Sequence, residues 1–360
     1  MNVDVSLGTR SYRIVVASGA LATVGPRLRE LSVGARAALV SDGAVARLYG
    51  KTVMASLESA GFTVATIEVP EGEGAKTLAI AQHCWNELLA AGLDRTSTVL
   101  ALGGGAVGDV AGFAAATYMR GINFVQLPTT VLAQVDASIG GKTAIDHPLG
   151  KNMIGAFHQP RLVVVDPAVA RTLPEREFRS GLAEIVKHGI VLDAAYFAEL
   201  ERDLAPLAAR DLEVLERIIG GSCRLKASVI ERDEREAELR HVLNYGHTIG
   251  HALEASTGYA RYTHGEAVAL GMVAEARLAR QLGIADDETT ARQERMLDAL
   301  GLPVLAPAID VEPVVTAMAR DKKGKDGRIP FVLAPRIGEF RLVYDVPAAQ
   351  IRAAIASLAS

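Results

Sequence analysis

Apolar residues fall along this chain in two textures. Up to about residue 170, short apolar runs alternate with stretches of helical spacing; the runs are "RAALVSDG" (36–43), "FTVATIEVP" (62–70), "STVLALGGG" (97–105), "NFVQLPT" (123–129) and "RLVVVDP" (161–167). Their alternation with helical stretches is the signature of a sheet with crossover helices. Several runs close in Gly, Pro, Asp or Thr, at the carboxyl ends where such sheets hold ligands. After about residue 172 the spacing changes to a period of 3.6 with almost no β-rich runs, which predicts a helical second half. Two late runs, "IPFVLA" and "FRLVYDV", predict one small hairpin within it. Pro174 in "TLPEREF" is the candidate boundary. The expected architecture is therefore an α/β, Rossmann-like nucleotide-binding domain over 1–172 and an all-α, or mainly helical, domain over 173–360.

Composition narrows the function classes. The 360 residues carry 38 Lys+Arg against 42 Asp+Glu, a net charge of −4, so the basic excess of a nucleic-acid or anionic-membrane binder is missing and any cationic site must be local. Cys84 and Cys223 stand far apart in sequence, which makes no disulfide framework and fits a reducing compartment. No run of about 18 apolar residues and no N-terminal apolar core appear, so a cytoplasmic protein is expected.

The first candidate chemistry lies in "LALGGGAVGDVAGFAAATYMRG" (100–121), an apolar strand, three glycines and an Ala-rich helix. Glycines at such a junction let backbone N–H groups approach a phosphate, and the helix N-terminus favours the anion. Tight packing is the bland alternative for a glycine run. Asp109 just beyond it and the loop "LPTTVLAQVDASIGGK" after the next strand favour a nucleotide, although the spacing is not that of a GxGxxG fingerprint. Further on, Lys142 in "GGKTAID" and Lys151 and Asn152 in "GKNMIG" set basic and polar groups on Gly-rich loops suited to phosphate or carboxylate.

Histidines give the second. Of 8 in the chain, His188, His241, His247, His251 and His264 all fall between Arg179 and Met272. "GLAEIVKHG" sets Glu184, Lys187 and His188 on one helix face, "NYGHTIGHALE" does the same for Asn244, His247 and His251, and His264 opens a further helix. A carboxylate and two histidines are the donor set of a catalytic zinc with one open position. The positive end of a helix is expected to bias His264 towards the neutral, metal-binding ring. Spacing alone leaves open which two histidines bind; "HTIGH" invites the pair on one helix, but no Glu follows the first His as in a zinc-protease motif.

Taken together, "GEGAKT", "LALGGGAVGDVAGFAAATYMRGI", "QLPTTVLAQVDASIGGKTAID", "GKNMIGAFHQP", "TLPEREFRSGLAEIVKHG", "LRHVLNYGHTIGHALE", "THGEAVALGM" and "DKK" run in one order from about residue 70 to 323. In this the chain resembles the 3-dehydroquinate synthase family of the sugar phosphate cyclases. The resemblance implies a zinc or cobalt ion on Glu184, His247 and His264, and it releases His251 from the metal. It implies NAD held by Asp42, Glu73, Lys76, Gly104, Gly105, Asp109, Thr129, Thr130, Lys142, Lys151 and Thr172. It implies substrate phosphate bound by Lys142, Asn152, Asn244, His251 and one of Lys322 and Lys323, with Arg120 reaching in from a second subunit of a homodimer. Lys226 and Arg240 would hold a substrate carboxylate, and Asp136 and Lys187 would contact hydroxyls, so that Lys142, Lys187, Asn244, His251 and Asp136 form the implied catalytic set. The activity implied is conversion of 3-deoxy-D-arabino-heptulosonate 7-phosphate to 3-dehydroquinate and phosphate. Two alternatives stay in view: another sugar phosphate cyclase, whose substrate lacks the carboxylate and would not need both Lys226 and Arg240, and a metal-dependent NAD polyol dehydrogenase.

Overall fold

The computed structural model describes residues 1–320 and 330–359, so Lys322 and Lys323 lie outside the described residues. The chain divides into two compact units, Met1–Leu173 with Leu215–Arg235 and Pro174–Val214 with Glu236–Ser360.

The first unit is built on a sheet of β1 (Asn2–Val5), β2 (Tyr12–Val16), β3 (Arg36–Asp42), β4 (Thr63–Val69), β5 (Thr98–Gly103), β6 (Asn123–Pro128) and β9 (Leu162–Val165), in the order β1-β2-β9-β6-β5-β3-β4. Every pairing is parallel except β1 on β2. The helices of this unit are α1 (Val24–Glu30), α2 (Gly43–Val45), α3 (Lys51–Ser59), α4 (Leu78–Ala90) and α5 (Gly105–Thr117). Both faces of the central strands are buried, in keeping with their largely apolar runs: Ala38, Val40, Val99 and Ala101 pack into one core, Ala37, Leu39, Leu100 and Leu102 into the other. From β3 the chain steps to β4 on one side and then to β5 on the other. That reversal opens a crevice at the carboxyl ends of β3 and β5, the place where open α/β sheets bind ligands.

All five strands expected from the apolar runs form. Two features differ from expectation. Strands β1 and β2 form an antiparallel edge, short elements whose inward Val3 and Val5 alternate with outward Asn2 and Asp4. The Gly-rich span around Lys142 and Asn152 is a ribbon, β7 (Lys142–His147) against β8 (Gly150–Phe157), with Ile145 opposite Ile154.

The second unit is mainly helical: α6 (Glu175–Leu192), α7 (Ala194–Arg202), α8 (Leu204–Ala208), then, after the excursion described below, α10 (His247–Ser256), α11 (His264–Gln281), α12 (Asp287–Ala299), α13 (Val311–Arg320) and α14 (Ala348–Ala356). The expected late hairpin is β10 (Phe331–Leu333) against β11 (Arg341–Val343). The contiguous division at 172/173 needs one correction. Helix α9 (Leu212–Arg232) crosses the boundary, and from Leu215 onward it belongs to the first unit. The cause is packing specific to that unit: Met1 lies against Gly220, the Cys223 thiol donates to the Gln134 carbonyl at 3.4 Å, and Lys226 bonds Asp136. Among the described residues no helix is long and apolar enough to cross a membrane.

Candidate active site

Three strand ends of the first unit carry the nucleotide-type residues. Asp42 closes β3, Gly104 and Gly105 follow β5, and Thr129 and Thr130 follow β6. Helix α5 starts at Gly105 with no side-chain cap on Gly104, so a cap does not compete with an anion for its first N–H groups. A Cβ on Gly104 would sit 3.3 Å from the Thr130 methyl, and one on Gly105 would sit 3.2 Å from the Ala137 methyl. The loop is as close to its neighbours as a bare backbone allows, which suits a pyrophosphate lying on it. Asp42 has local work as well, its Oδ1 accepting from Ala44 and Val45 N–H at 3.0 and 2.9 Å.

Lys76 gathers the rest of that set. Buried, it pairs with Asp109 at 2.8 Å, stands 3.9 Å from Asp146 and donates to the Asn152 side chain. Asp146 also accepts the Asn152 backbone N–H at 2.7 Å, fixing that residue at a positive φ of 57°. Burial raises the Asp109 carboxyl to about 6 against the pull of the Lys76 ammonium. Lys151 pairs with Glu73 at 3.1 Å. Thr172 is exposed and bonds the Tyr49 hydroxyl. Lys142 and Arg120 are exposed, the latter at a φ of 69°. Lys226 is held by Asp136, 2.5 Å to its carboxylate and 2.7 Å to its carbonyl.

In the second unit the metal-type residues converge. Glu184 on α6 is fully buried; its Oε1 lies 3.4 Å from His247 Nε2 and 3.3 Å from His264 Nε2, while its Oε2 pairs with the buried Lys187. Ligands 2.0–2.1 Å from a tetrahedral ion stand about 3.3 Å from one another, so Glu184 already stands from each histidine at the spacing a divalent ion needs, and the three donors lie within 4.8 Å of one another. Each ring turns its other nitrogen to an acceptor: His247 Nδ1 is 3.1 Å from the Tyr245 carbonyl, and His264 Nδ1 is 3.5 Å from Glu254 Oε2. With a metal in place of the proton between the rings and Glu184, that arrangement would present both Nε2 atoms to the ion. The exposed His251, with Glu254 and His264, forms a second grouping of donors within 4.8 Å. It is the more open of the two, and within it His264 Nδ1 stands 3.5 Å from Glu254 Oε2.

Charge follows the geometry. Burial would raise the Glu184 carboxyl, but the Lys187 ammonium and the two rings hold it well below the usual carboxylate range. Burial, with Lys187 nearby, keeps His247 neutral. His264 corrects the expectation from its helix end. Burial favours the neutral ring, yet hydrogen bonds to Glu184 and Glu254 push it up to about 10 and outweigh the helix dipole. Among the substrate-type residues, Arg240 is buried and Asn244 donates to Glu236 at 3.3 Å.

Glu254, Glu236 and Asp146 have contacts to the implied site residues that motif reading had not assigned. A signal existed for Glu254, three residues after His251 on the same face of α10; its partner sits on another helix, which spacing does not report.

A glycine loop at the switch point of a parallel sheet, joined in one chain to a helical unit with a buried Glu–His–His cluster, is the arrangement expected of a sugar phosphate cyclase. Solved structures agree in class. The fold matches 2-epi-5-epi-valiolone synthase from Streptomyces hygroscopicus, determined with NAD+ and Zn2+ bound, at a TM-score of 0.90 and 30% identity over 98% of each chain. It matches 2-deoxy-scyllo-inosose synthase, complexed with carbaglucose-6-phosphate, NAD+ and Co2+, at a TM-score of 0.89 and 26% identity over 99% of each. Residues 66–180 match the 3-dehydroquinate synthase N-terminal profile and residues 181–324 the C-terminal one. The 3-dehydroquinate synthase of Geobacter metallireducens is 52% identical over 95% of both chains, and that of Desulforamulus reducens is 47% identical over 98% of this chain and 99% of its own. The chain belongs to the 3-dehydroquinate synthase family. Glycerol dehydrogenase from Schizosaccharomyces pombe, at 17% identity and a TM-score of 0.70, shares the fold alone.

Proposed function

We propose that this chain converts 3-deoxy-D-arabino-heptulosonate 7-phosphate to 3-dehydroquinate and phosphate, as a homodimer in the cytoplasm using NAD and one divalent ion, zinc or cobalt. The observation that carries the proposal is the near full-length identity of 47–52% to 3-dehydroquinate synthases, against 26–30% to cyclases of other products. Retention of both Lys226 and Arg240, the cations suited to a substrate carboxylate, supports the same choice.

When bound, NAD supplies a reversible oxidant and the divalent ion a Lewis acid for the alcohol oxygen that is oxidised. The side chains supply binding and orientation. Gly104, Gly105, Thr129, Thr130, Asp42, Asp109, Lys76, Glu73, Lys151 and Thr172 would hold the dinucleotide, and Glu184, His247 and His264 the ion. Lys142, Asn152, Asn244 and His251 would bind the phosphate with Arg120 of a second subunit, Lys226 and Arg240 the carboxylate, and Asp136 and Lys187 the hydroxyls. Oxidation makes the neighbouring C–H acidic, and the substrate's own phosphate takes that proton as it leaves. Most of the catalysis therefore resides in orientation rather than in a dedicated base. Reduction and an intramolecular aldol step then close the ring with no net redox change.

The test is to supply metal-loaded protein with the heptulosonate phosphate and a catalytic amount of NAD+. One phosphate released per substrate without NADH accumulation supports the proposal. Stoichiometric NADH, as a polyol dehydrogenase would give, or no turnover by the metal-replete protein, sinks it.

A further inference from the structure

Glu275 lies outside every assignment above. It sits in the middle of α11, is fully buried, and its Oε2 accepts the Gly246 N–H at 2.7 Å. Gly246 is the residue before α10, at a φ of +78° and without a side chain to cap the helix that His247 opens. The first N–H groups of a helix need an acceptor from somewhere, and here it comes from the neighbouring helix. The Ile249 N–H favours the same carboxylate.

The approach is enforced by packing. A Cβ at Gly271, one turn before Glu275 on the same face of α11, would stand 1.9 Å from the Gly246 carbonyl oxygen, and one at Gly250 would stand 3.0 Å from the Ala267 carbonyl. The two helices touch backbone to backbone, and Glu275 is locked to the start of α10. Tyr245 fixes the preceding residue, its hydroxyl donating to Gln293 at 2.5 Å. His247 thus extends from two anchored residues, Tyr245 and Gly246.

The carboxylate is costly where it is. Its Oε1 is buried with no hydrogen-bond partner among the described residues. Burial raises its affinity for a proton, to about 8, against the pull of the Gly246 and Ile249 N–H groups. An apolar side chain of similar volume costs less in such a place. Stability alone therefore does not account for a carboxylate at this position.

We propose that Glu275 is a positioning residue for the metal site: by capping α10 from α11 it fixes the height and rotation of that helix so that His247 Nε2 meets Glu184. The inference rests on the metal assignment of Glu184, His247 and His264. Glu275→Met removes the acceptor at nearly constant volume, and Glu275→Gln keeps one acceptor oxygen. Both are made in the full chain, and zinc affinity of the metal-free protein is measured by competition with a chromophoric chelator, beside NAD affinity, melting temperature and the visible spectrum of the cobalt-loaded protein. Glu275→Met leaves the Gly246 N–H without its acceptor, so it is expected to fold and bind NAD as the unaltered protein does but to melt somewhat lower, and to lose about 10- to 100-fold in zinc affinity, with shifted cobalt bands. Glu275→Gln is expected to recover most of the loss. Wild-type zinc affinity and cobalt spectrum in folded Glu275→Met overturn the proposal. Should that variant fail to fold, Glu275→Asp makes the same comparison, because the shorter side chain withdraws the acceptor, and wild-type zinc affinity there overturns it equally. His247→Ala is the reference: if it keeps zinc, the metal assignment itself fails, an outcome distinct from failure of the cap.

Discussion

At the scale of single residues, the second unit holds a buried charge balance among Glu184, Lys187 and two histidine rings. Glu184 is fully buried with its two oxygens divided between Lys187 and the two histidine rings. Removing one partner of such a pair leaves an uncompensated charge and costs about 3–5 kcal/mol. Lys187→Met is therefore expected to melt well below the unaltered protein when metal-free, and added zinc, which brings a replacement positive charge, should raise its melting temperature more than it raises that of the unaltered protein; calorimetry with and without zinc decides. A second comparison separates residues that share one helix face. His247→Ala should lose the metal by elemental analysis, whereas His251→Ala should keep it and show a raised KM for the phosphate substrate. These residues were partly readable beforehand. Spacing put Asn244, His247 and His251 on one stripe but offered no way to divide them, and the division came from resemblance. Glu254 stayed without a role because its contact, His264 Nδ1, is ten residues on and on another helix. Nothing in the spacing of "GMVAEARLA" marks Glu275 as a cap for a helix that begins 28 residues before it.

At the scale of elements, the sheet was readable because its central strands are buried on both faces and so are apolar at most positions, with Ser41 and Gln126 as buried polar exceptions. The ribbon β7–β8 was not, because its residues are glycines, lysines and exposed side chains, and its strand pairing depends on partner backbone rather than on side-chain pattern. The N-terminal edge was missed for its brevity. Helix contacts carry their own prediction. Gly271→Ala would drive a methyl into the Gly246 carbonyl and push α11 off α10, so it is expected to destabilise by about 1–3 kcal/mol in denaturant titration and to weaken zinc binding with it. The turn that launches β5 is pH-sensitive. Asp94 accepts from the N–H and hydroxyl groups of Thr96 and Ser97, which lower its carboxyl to about 2. A carboxyl depressed on folding adds stability above its ordinary range and loses it as pH falls through the folded value. The melting-temperature gap between Asp94→Ala and the unaltered protein should therefore be full above about pH 4 and close towards pH 2.

At the scale of the whole chain, the proposed homodimer predicts a solution mass of about 76 kDa, twice the 38.0 kDa of one chain, by light scattering. The ribbon exposes Leu149, Met153 and Phe157, apolar side chains that a second copy would cover. Met153→Glu with Phe157→Glu should shift the mass towards that of a single chain. The two-domain organisation was visible as a change of texture near residue 172. The return of α9 was not, since its helical spacing reads the same whichever core it packs against.

That return has a consequence for how the protein is made. On the ribosome, residues 1–173 emerge with the Gln134 and Asp136 face of the first unit still uncovered, and residues 174–214 of the second follow before the helix that covers it. The first unit finishes only when residue 235 is out, by which time the second has begun. Birth of the two is interleaved, so a nascent chain halted at the apparent boundary would carry an unfinished core, open to the quality control that awaits exposed apolar surface.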